Sequence, residues 1–495
     1  MKKFYRVLAL LFALLMVASC FIGCKKKDED KKEEGAATTT VSSGDGTEDP
    51  YATSLPLMDW QEAIFMVLGN DETYHQKTYE IARDEMPDDV VGKAVYERND
   101  ALRLKYNFVV KETLVRDPAT EMRIRYESAE DLYDAVIYTP TEAAVDAQKG
   151  FLLDLKTIPY IDLAHPSWNQ YATQQLNISN KVYFTVSDFL ISDKNRYFVM
   201  HYNREMAREA GKGYLEDMVD NNTWTYDEFN ALVSEFSYDG DGDGMKGGLG
   251  DYYGTVCESI TSYSVFIYGG GFRLSKNVDG VVSMSAAGTD VMNILTKSSS
   301  FALNKDVTYY PDFFHKDFGG NAYGSDVDMF TSKKALFLSS FLEKLDNILE
   351  NAMFERAYMP YPKYDKNQTD YYTMIWDLGG SVITVPYTVV DASKSGYMLQ
   401  AITEASTNTS LYAYYEQKCK LQGSVDQRAA DMLDLIFENV IFDVAFIYDL
   451  GKLRYYLIFE LPKHGAYQRY NTVYGLRVDD AEEKLAQIAA DYAAA

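Results

Sequence analysis

The densest run of potential ligand atoms in the sequence is Asp239-Gly240-Asp241-Gly242-Asp243-Gly244-Met245. Carboxylates at alternate positions point their oxygens at one centre, the glycine after the third permits a sharp turn, and Met245 offers its carbonyl. The first half of an EF-hand loop holds calcium in this way. The glutamate that usually closes such a loop at position twelve is replaced by Gly250. Asp251, one residue later, closes the cage if the loop carries an extra residue. The competing interpretation is a solvated Asp/Gly turn, and the alternate spacing favours a structural calcium.

Other chemistries find little support. Gly242-Asp243-Gly244-Met245-Lys246-Gly247 matches G-x-G-x-x-G in letters. No strand leads into it, no helix follows, and the surrounding aspartates repel a pyrophosphate, so it is not a dinucleotide site. Nucleophile-elbow, Walker and H-E-x-x-H patterns are absent. His75, His165, His201, His315 and His464 show no metal-ligand spacing. Carboxylates are abundant enough that a glycosidase-like pair could be drawn anywhere, so their number argues nothing. No catalytic constellation is legible, and neither an enzyme nor a catalytic cofactor is expected.

Composition narrows the partners. The chain has 495 residues, more than one compact core accommodates, and its 47% hydrophobic and 25% charged residues are those of a globular protein. The formal charge of −26 repels phosphate backbones, which excludes nucleic acid as a natural partner. Tyrosine accounts for 41 residues. Most of these pack cores, but a flat apolar face with a hydroxyl also suits polar, ring-shaped ligands.

Lys2, Lys3 and Arg6 precede the apolar run Val7–Ala18, which is too short to span a bilayer and suits the core of a secretory signal. Val17-Ala18-Ser19-Cys20 resembles the bacterial lipobox, with Cys20 as the acylated residue and residues 1–19 as the removed signal peptide. Cys24, after Phe21-Ile22-Gly23, is the alternative. Residues 20–57 hold a Lys/Asp/Glu block and a Thr/Ser/Gly stretch with nothing apolar to bury, and read as a flexible tether. Cys257 and Cys419, far apart in sequence, are expected to be buried free thiols.

The body alternates elements. Thr78–Ala82 and Phe108–Val115 read as strands, as does Leu132–Tyr138. Asp88/Asp89 open a helix whose Val91, Val95, Leu102 and Tyr106 face inward. Strand–helix alternation predicts a parallel sheet covered by helices, with ligands beyond the carboxyl ends of its strands. Farther on, Arg196–Tyr202 reads as extended, and Asn203–Ala210 as a helix closed by Gly211. Thr225-Tyr226-Asp227-Glu228 reads as a capping box, and Trp224 with Phe229 as its hydrophobic staple. Lys334–Ser339 and Ser381–Val385 read as short strands.

Several segments in this order, behind a lipobox, resemble the lipid-anchored extracellular solute-binding proteins of carbohydrate ABC transporters (family 1 type). They are Val95-Tyr96-Glu97-Arg98-Asn99, Tyr133-Asp134-Ala135-Val136, Gly150–Leu155, Trp224–Phe229 with the acidic loop to Gly254, Pro360–Tyr364, Asp370-Tyr371-Tyr372, Tyr414-Tyr415-Glu416 and Met432–Ile436. The resemblance implies a two-lobed α/β periplasmic-binding-protein-like fold of type II, closing on a sugar about crossing hinge segments. Crossings are expected near Leu176–Val182, Phe330–Leu338 and Trp376–Thr384. One lobe then comprises residues 58–178 and 333–376, and the other residues 179–332 and 377–495. The implied function is capture of a carbohydrate, expected to be an oligosaccharide, and delivery to the importer's permease subunits by a monomer lipid-anchored at the outer face of the cell membrane. The alternatives are a surface-tethered glycoside hydrolase or lyase and a binding protein for another solute such as a peptide. Sugar binding needs aromatic faces for C–H patches and polar groups for paired hydroxyls. Tyr138, Trp168, Tyr268 and Trp376 are the candidate faces, and Thr139, Asp188 and Asp377 the polar partners, with Trp376-Asp377-Leu378-Gly379-Gly380 foremost.

Overall fold

The computed structural model describes residues 49–71, 78–244, 246, 248–314, 324–464 and 466–494. The signal peptide, Cys20, Cys24 and most of the tether lie outside the described residues. No helix among the described residues is long and apolar enough to cross a membrane.

Two main sheets organise the body. The first contains β1 (Ala63–Asn70), β2 (Phe108–Val115), β3 (Ala135–Tyr138) and β12 (Val382–Thr384) in the order β12-β3-β1-β2. β1 runs parallel to β2 and β3, and β12 pairs antiparallel with β3. The second contains β4 (Phe198–Asn203), β5 (Tyr253–Cys257), β8 (Thr308–Tyr309), β9 (Ala335–Phe341) and β10 (Arg356–Met359) in the order β10-β4-β9-β5-β8. β5 is parallel to β9 and β8, whereas β4 is antiparallel to β9 and β10. Two small pairs complete the strands: β6 (Ser275–Val278) with β7 (Val281–Met284), and β11 (Thr373–Met374) with β13 (Val440–Ile441).

Several expected elements change place. The first strand is β1 and not Thr78–Ala82. Thr78 instead folds back on the end of β1, its N–H donating to the Asn70 carbonyl and its Oγ1 accepting from the Asn70 N–H, both at 3.0 Å. Ile81 is fully buried, so its segment looks apolar in sequence without joining a ladder. Every residue of β9 is buried and the strand lies mid-sheet between β4 and β5, so it is a core strand of the second sheet and not a hinge strand. β12 joins the first sheet. Residues 333–376 therefore do not follow the first sheet, nor residues 377–495 the second, as the expected lobe boundaries required.

Local signals fare better. Asp89 caps the helix Val90–Tyr106 by accepting from the Gly92 N–H at 2.7 Å, and Val91, Val95, Leu102 and Tyr106 are buried. The staple forms, with Trp224 and Phe229 rings edge-to-face at 5.8 Å and the Trp224 Nε1 donating to the Pro360 carbonyl. The capping box does not, because the Thr225 side chain makes no cap bond; separately, the Tyr226 N–H donates to the Lys363 carbonyl at 2.8 Å. Cys257 and Cys419 are buried and free, and burial pushes the Cys419 thiol up to about 12.

Candidate functional site

A cavity of about 810 Å³ opens between segments that follow β1 and β9 in the chain. The loop after β1 and the amino end of the helix Val90–Tyr106 supply Tyr79, Arg83, Asp88 and Asp89 to one side. The turn after β9 supplies Glu343 and Asp346 to the other. A third wall comes from Ala413–Gln422, which contributes Tyr414, Lys418 and Gln422. That wall is a ten-residue π-helix, a rare form frequent at functional sites. Asn195 is fixed between the walls: its Nδ2 donates to Tyr79 Oη at 2.8 Å, and its Oδ1 accepts from Tyr414 Oη at 2.6 Å. None of these cavity residues was among the sequence candidates. The Tyr414-Tyr415-Glu416 segment contributed only to the resemblance.

An aromatic platform adjoins the cavity. Trp376 stacks on Phe341 with ring centroids 5.0 Å apart and planes 12° from parallel. The Arg196 guanidinium lies 5.2 Å from the Phe341 ring centre and 5.6 Å from that of Trp376, and bridges to Glu343 of the cavity at 2.7 Å. Trp376 is half-buried, and its Nε1 has no hydrogen-bond partner. The following glycines are steric requirements: a Cβ on Gly379 would sit 2.4 Å from the Trp376 ring, and the N–H groups of both glycines turn back onto the Trp376 carbonyl.

Asp377 is a strut behind the platform. Fully buried, it accepts from Arg454 Nη1 at 2.5 Å and from Thr141 Oγ1 at 2.9 Å. Burial raises its carboxyl against the pull of Arg454. This ties the Trp376 turn to the amino end of the helix Pro140–Gln148.

The other candidates do not gather at the cavity. Tyr138 is buried with its hydroxyl on Asp146 at 3.3 Å, and Thr139 is the N-cap that accepts from the Glu142 N–H at 3.2 Å. Trp168 has no exposed surface and donates from Nε1 to Gln400 Oε1 at 2.9 Å. Tyr268 is equally buried against Asp443 at 3.0 Å. Asp188 accepts from Thr407 Oγ1 at 2.6 Å, and burial pushes its carboxyl up to about 6. The expected ring faces of Tyr138, Trp168 and Tyr268 are thus corrected to core packing, each ring being buried with its polar atom on Asp146, Gln400 or Asp443.

In the acidic loop, Asp239, Asp241 and Asp243 offer oxygens within 4.8 Å of one another. Asp239 accepts from the Gly242 N–H at 2.6 Å and the Gly244 N–H at 2.8 Å, which holds its carboxyl below the usual range. Asp251 Oδ1 accepts from the Gly240 N–H at 3.0 Å and closes the loop's base. A Cβ on Gly250 would meet the Asp241 carboxylate at 2.1 Å, so glycine at that place makes room for the carboxylate. Met245 lies outside the described residues.

Beyond β5 and β9, Asp326 is 1% exposed. Burial, and then the charge of Glu258, push its carboxyl from 3.8 up to about 7. The folded form therefore holds this proton more tightly than the unfolded one. Its stabilisation is full below pH 3.8 and is lost as pH rises through about 7. We expect melting temperature to fall between pH 5 and pH 8 and Asp326→Asn to flatten that fall. A pH profile unchanged by the substitution would contradict it.

No protein-family model matches the sequence, and no curated protein sequence matches it. Solved structures do. An ABC substrate-binding protein of Listeria monocytogenes in complex with cycloalternan superposes with a TM-score of 0.50 at 14% identity, over 86% of this chain and 98% of that one. The apo form of RafE from Streptococcus pneumoniae gives 0.54 at 12% identity, over 85% and 98%. A cyclo/maltodextrin-binding protein complexed with maltotetraose gives 0.55 at 11% identity, over 86% and 98%. The chain has the two-lobed α/β fold of these solute-binding proteins.

Proposed function

We propose that this protein is the extracytoplasmic binding component of a carbohydrate ABC importer, holding an oligosaccharide between its lobes and presenting it to a permease. The observation that carries this is the place of the cavity, between segments that follow β1 and β9 of two separate sheets, beside the Trp376–Phe341 platform. Open α/β sheets take ligands at such ends, and closure about the crossing segments would bury a sugar between them. The structural likeness to proteins that hold cycloalternan and maltotetraose supports the same ligand class. Calorimetry with a panel of tetrasaccharides, followed by product analysis, tests it. Saturable binding with intact sugar is expected, whereas cleaved product would replace the binding protein by a hydrolase or lyase.

Two further parts of the proposal have their own checks. The mature chain is anchored through Cys20, which mass spectrometry of the amino-terminal peptide reads directly; acylation at Cys24, or an intact leader, overturns it. Asp239, Asp241 and Asp243 hold calcium for stability and take no part in sugar contact. Chelation is then expected to lower the melting temperature, and Asp241→Ala to abolish that response; no change on chelation leaves a plain turn.

A further inference from the structure

The charges that line the cavity point to the class of sugar. Asp88, Asp89, Glu343 and Asp346 face Arg83 and Lys418, so carboxylates outnumber cations. Lys418 is paired with Asp346 at 2.8 Å, whereas Arg83 Nη1 donates to the Ala82 carbonyl at 2.6 Å and keeps its charge. Arg196, beside the cavity, pairs with Glu343 at 2.7 Å. A sugar carboxylate entering here would meet more carboxylates than cations, and like-charge juxtaposition disfavours such a ligand. The neutral recognition groups are of the other kind. The Asn195 carboxamide and the Tyr79 and Tyr414 hydroxyls form one hydrogen-bonded chain across the cavity. Such a chain reorients to give and take bonds with sugar hydroxyls without any change of charge.

We infer that the cavity takes an uncharged oligosaccharide and excludes uronic-acid sugars. The inference rests on the carbohydrate-binding reading above and adds the ligand's charge class. It is tested by calorimetry on the full mature protein. One panel holds tetrasaccharides of glucose, galactose, mannose and xylose, and the other tetrasaccharides of galacturonic, glucuronic and mannuronic acid. The best neutral sugar is expected to bind at least about tenfold tighter than any uronate. Asp346→Asn releases Lys418 and removes one carboxylate, so it is expected to narrow the gap several-fold. A uronate within tenfold of the best neutral sugar overturns the inference and leaves the carbohydrate reading standing. A gap that Asp346→Asn leaves unchanged overturns the assignment of exclusion to this cavity. Binding of neither panel overturns the carbohydrate reading and this inference with it.

Discussion

Replacing Trp376 with alanine is expected to weaken oligosaccharide binding by about 1–3 kcal/mol, roughly a five- to 150-fold loss in affinity. The half-buried indole stacks on Phe341, the residue before the cavity's Leu342, and its Nε1 has no protein partner to lose. The fold should survive, because one ring face already rests on Phe341 and the Asp377 strut to Arg454 and Thr141 does not depend on the indole. Stability should fall by only about 0.5–1.5 kcal/mol, the worth of one aromatic pair, against the 3–5 kcal/mol of a core tryptophan. Calorimetry and melting on the same variant separate the two roles. Unchanged affinity with a large loss of stability would return Trp376 to the core.

The largest loss of stability is expected from Arg98→Ala, at about 3–5 kcal/mol. This guanidinium is fully buried, donates to the Glu80 carbonyl at 2.7 Å and the Ile81 carbonyl at 3.1 Å, and reaches Ser406 and Ser410 at 3.0 Å. Removing it leaves a void and an unsatisfied buried carbonyl at Glu80. Glu80 in turn holds the chain entering β4, its Oε1 accepting from the Ile191 and Ser192 N–H groups at 3.1 Å. The loop carrying Tyr79 should loosen, so sugar affinity should fall along with stability. Arg98→Lys restores the charge but not the fork of donors and should rescue little. Urea unfolding with an unchanged slope reads the stability loss. A shift below about 1 kcal/mol would show that the neighbouring groups re-pair without it.

Strong local physics was legible from residue order. The Asp89 cap, the helix it opens, the Trp224–Phe229 staple, the turn at Gly211 and the burial of both thiols each depend on residues within a few positions or on plain hydrophobicity. So did the α/β class, which follows from alternating periods along the chain. The Trp376-Asp377-Leu378-Gly379-Gly380 turn was legible in part, because glycines beside a tryptophan signal a close approach that the structure makes at Gly379. Its Asp377 looked equally available, yet its partners lie at Thr141 and Arg454.

What tertiary structure alone decided is which aromatic residues face a cavity and which fill a core. Trp168 and Trp376 were both candidate ring faces, but Gln400, 232 positions from Trp168, accepts a hydrogen bond from its indole nitrogen. The cavity itself joins residues near 79–89, 195, 343–346 and 414–422, and no periodicity in one segment reports on another so distant. Sheet membership followed the same rule. β9 and β12 carry ordinary apolar strand patterns, and their places were set by long-range pairing with β4 and β5 and with β3. Composition and local order determined the kinds of element and the strongly acidic charge of the chain. Long-range packing, which trades the burial of each ring against every other, determined the site.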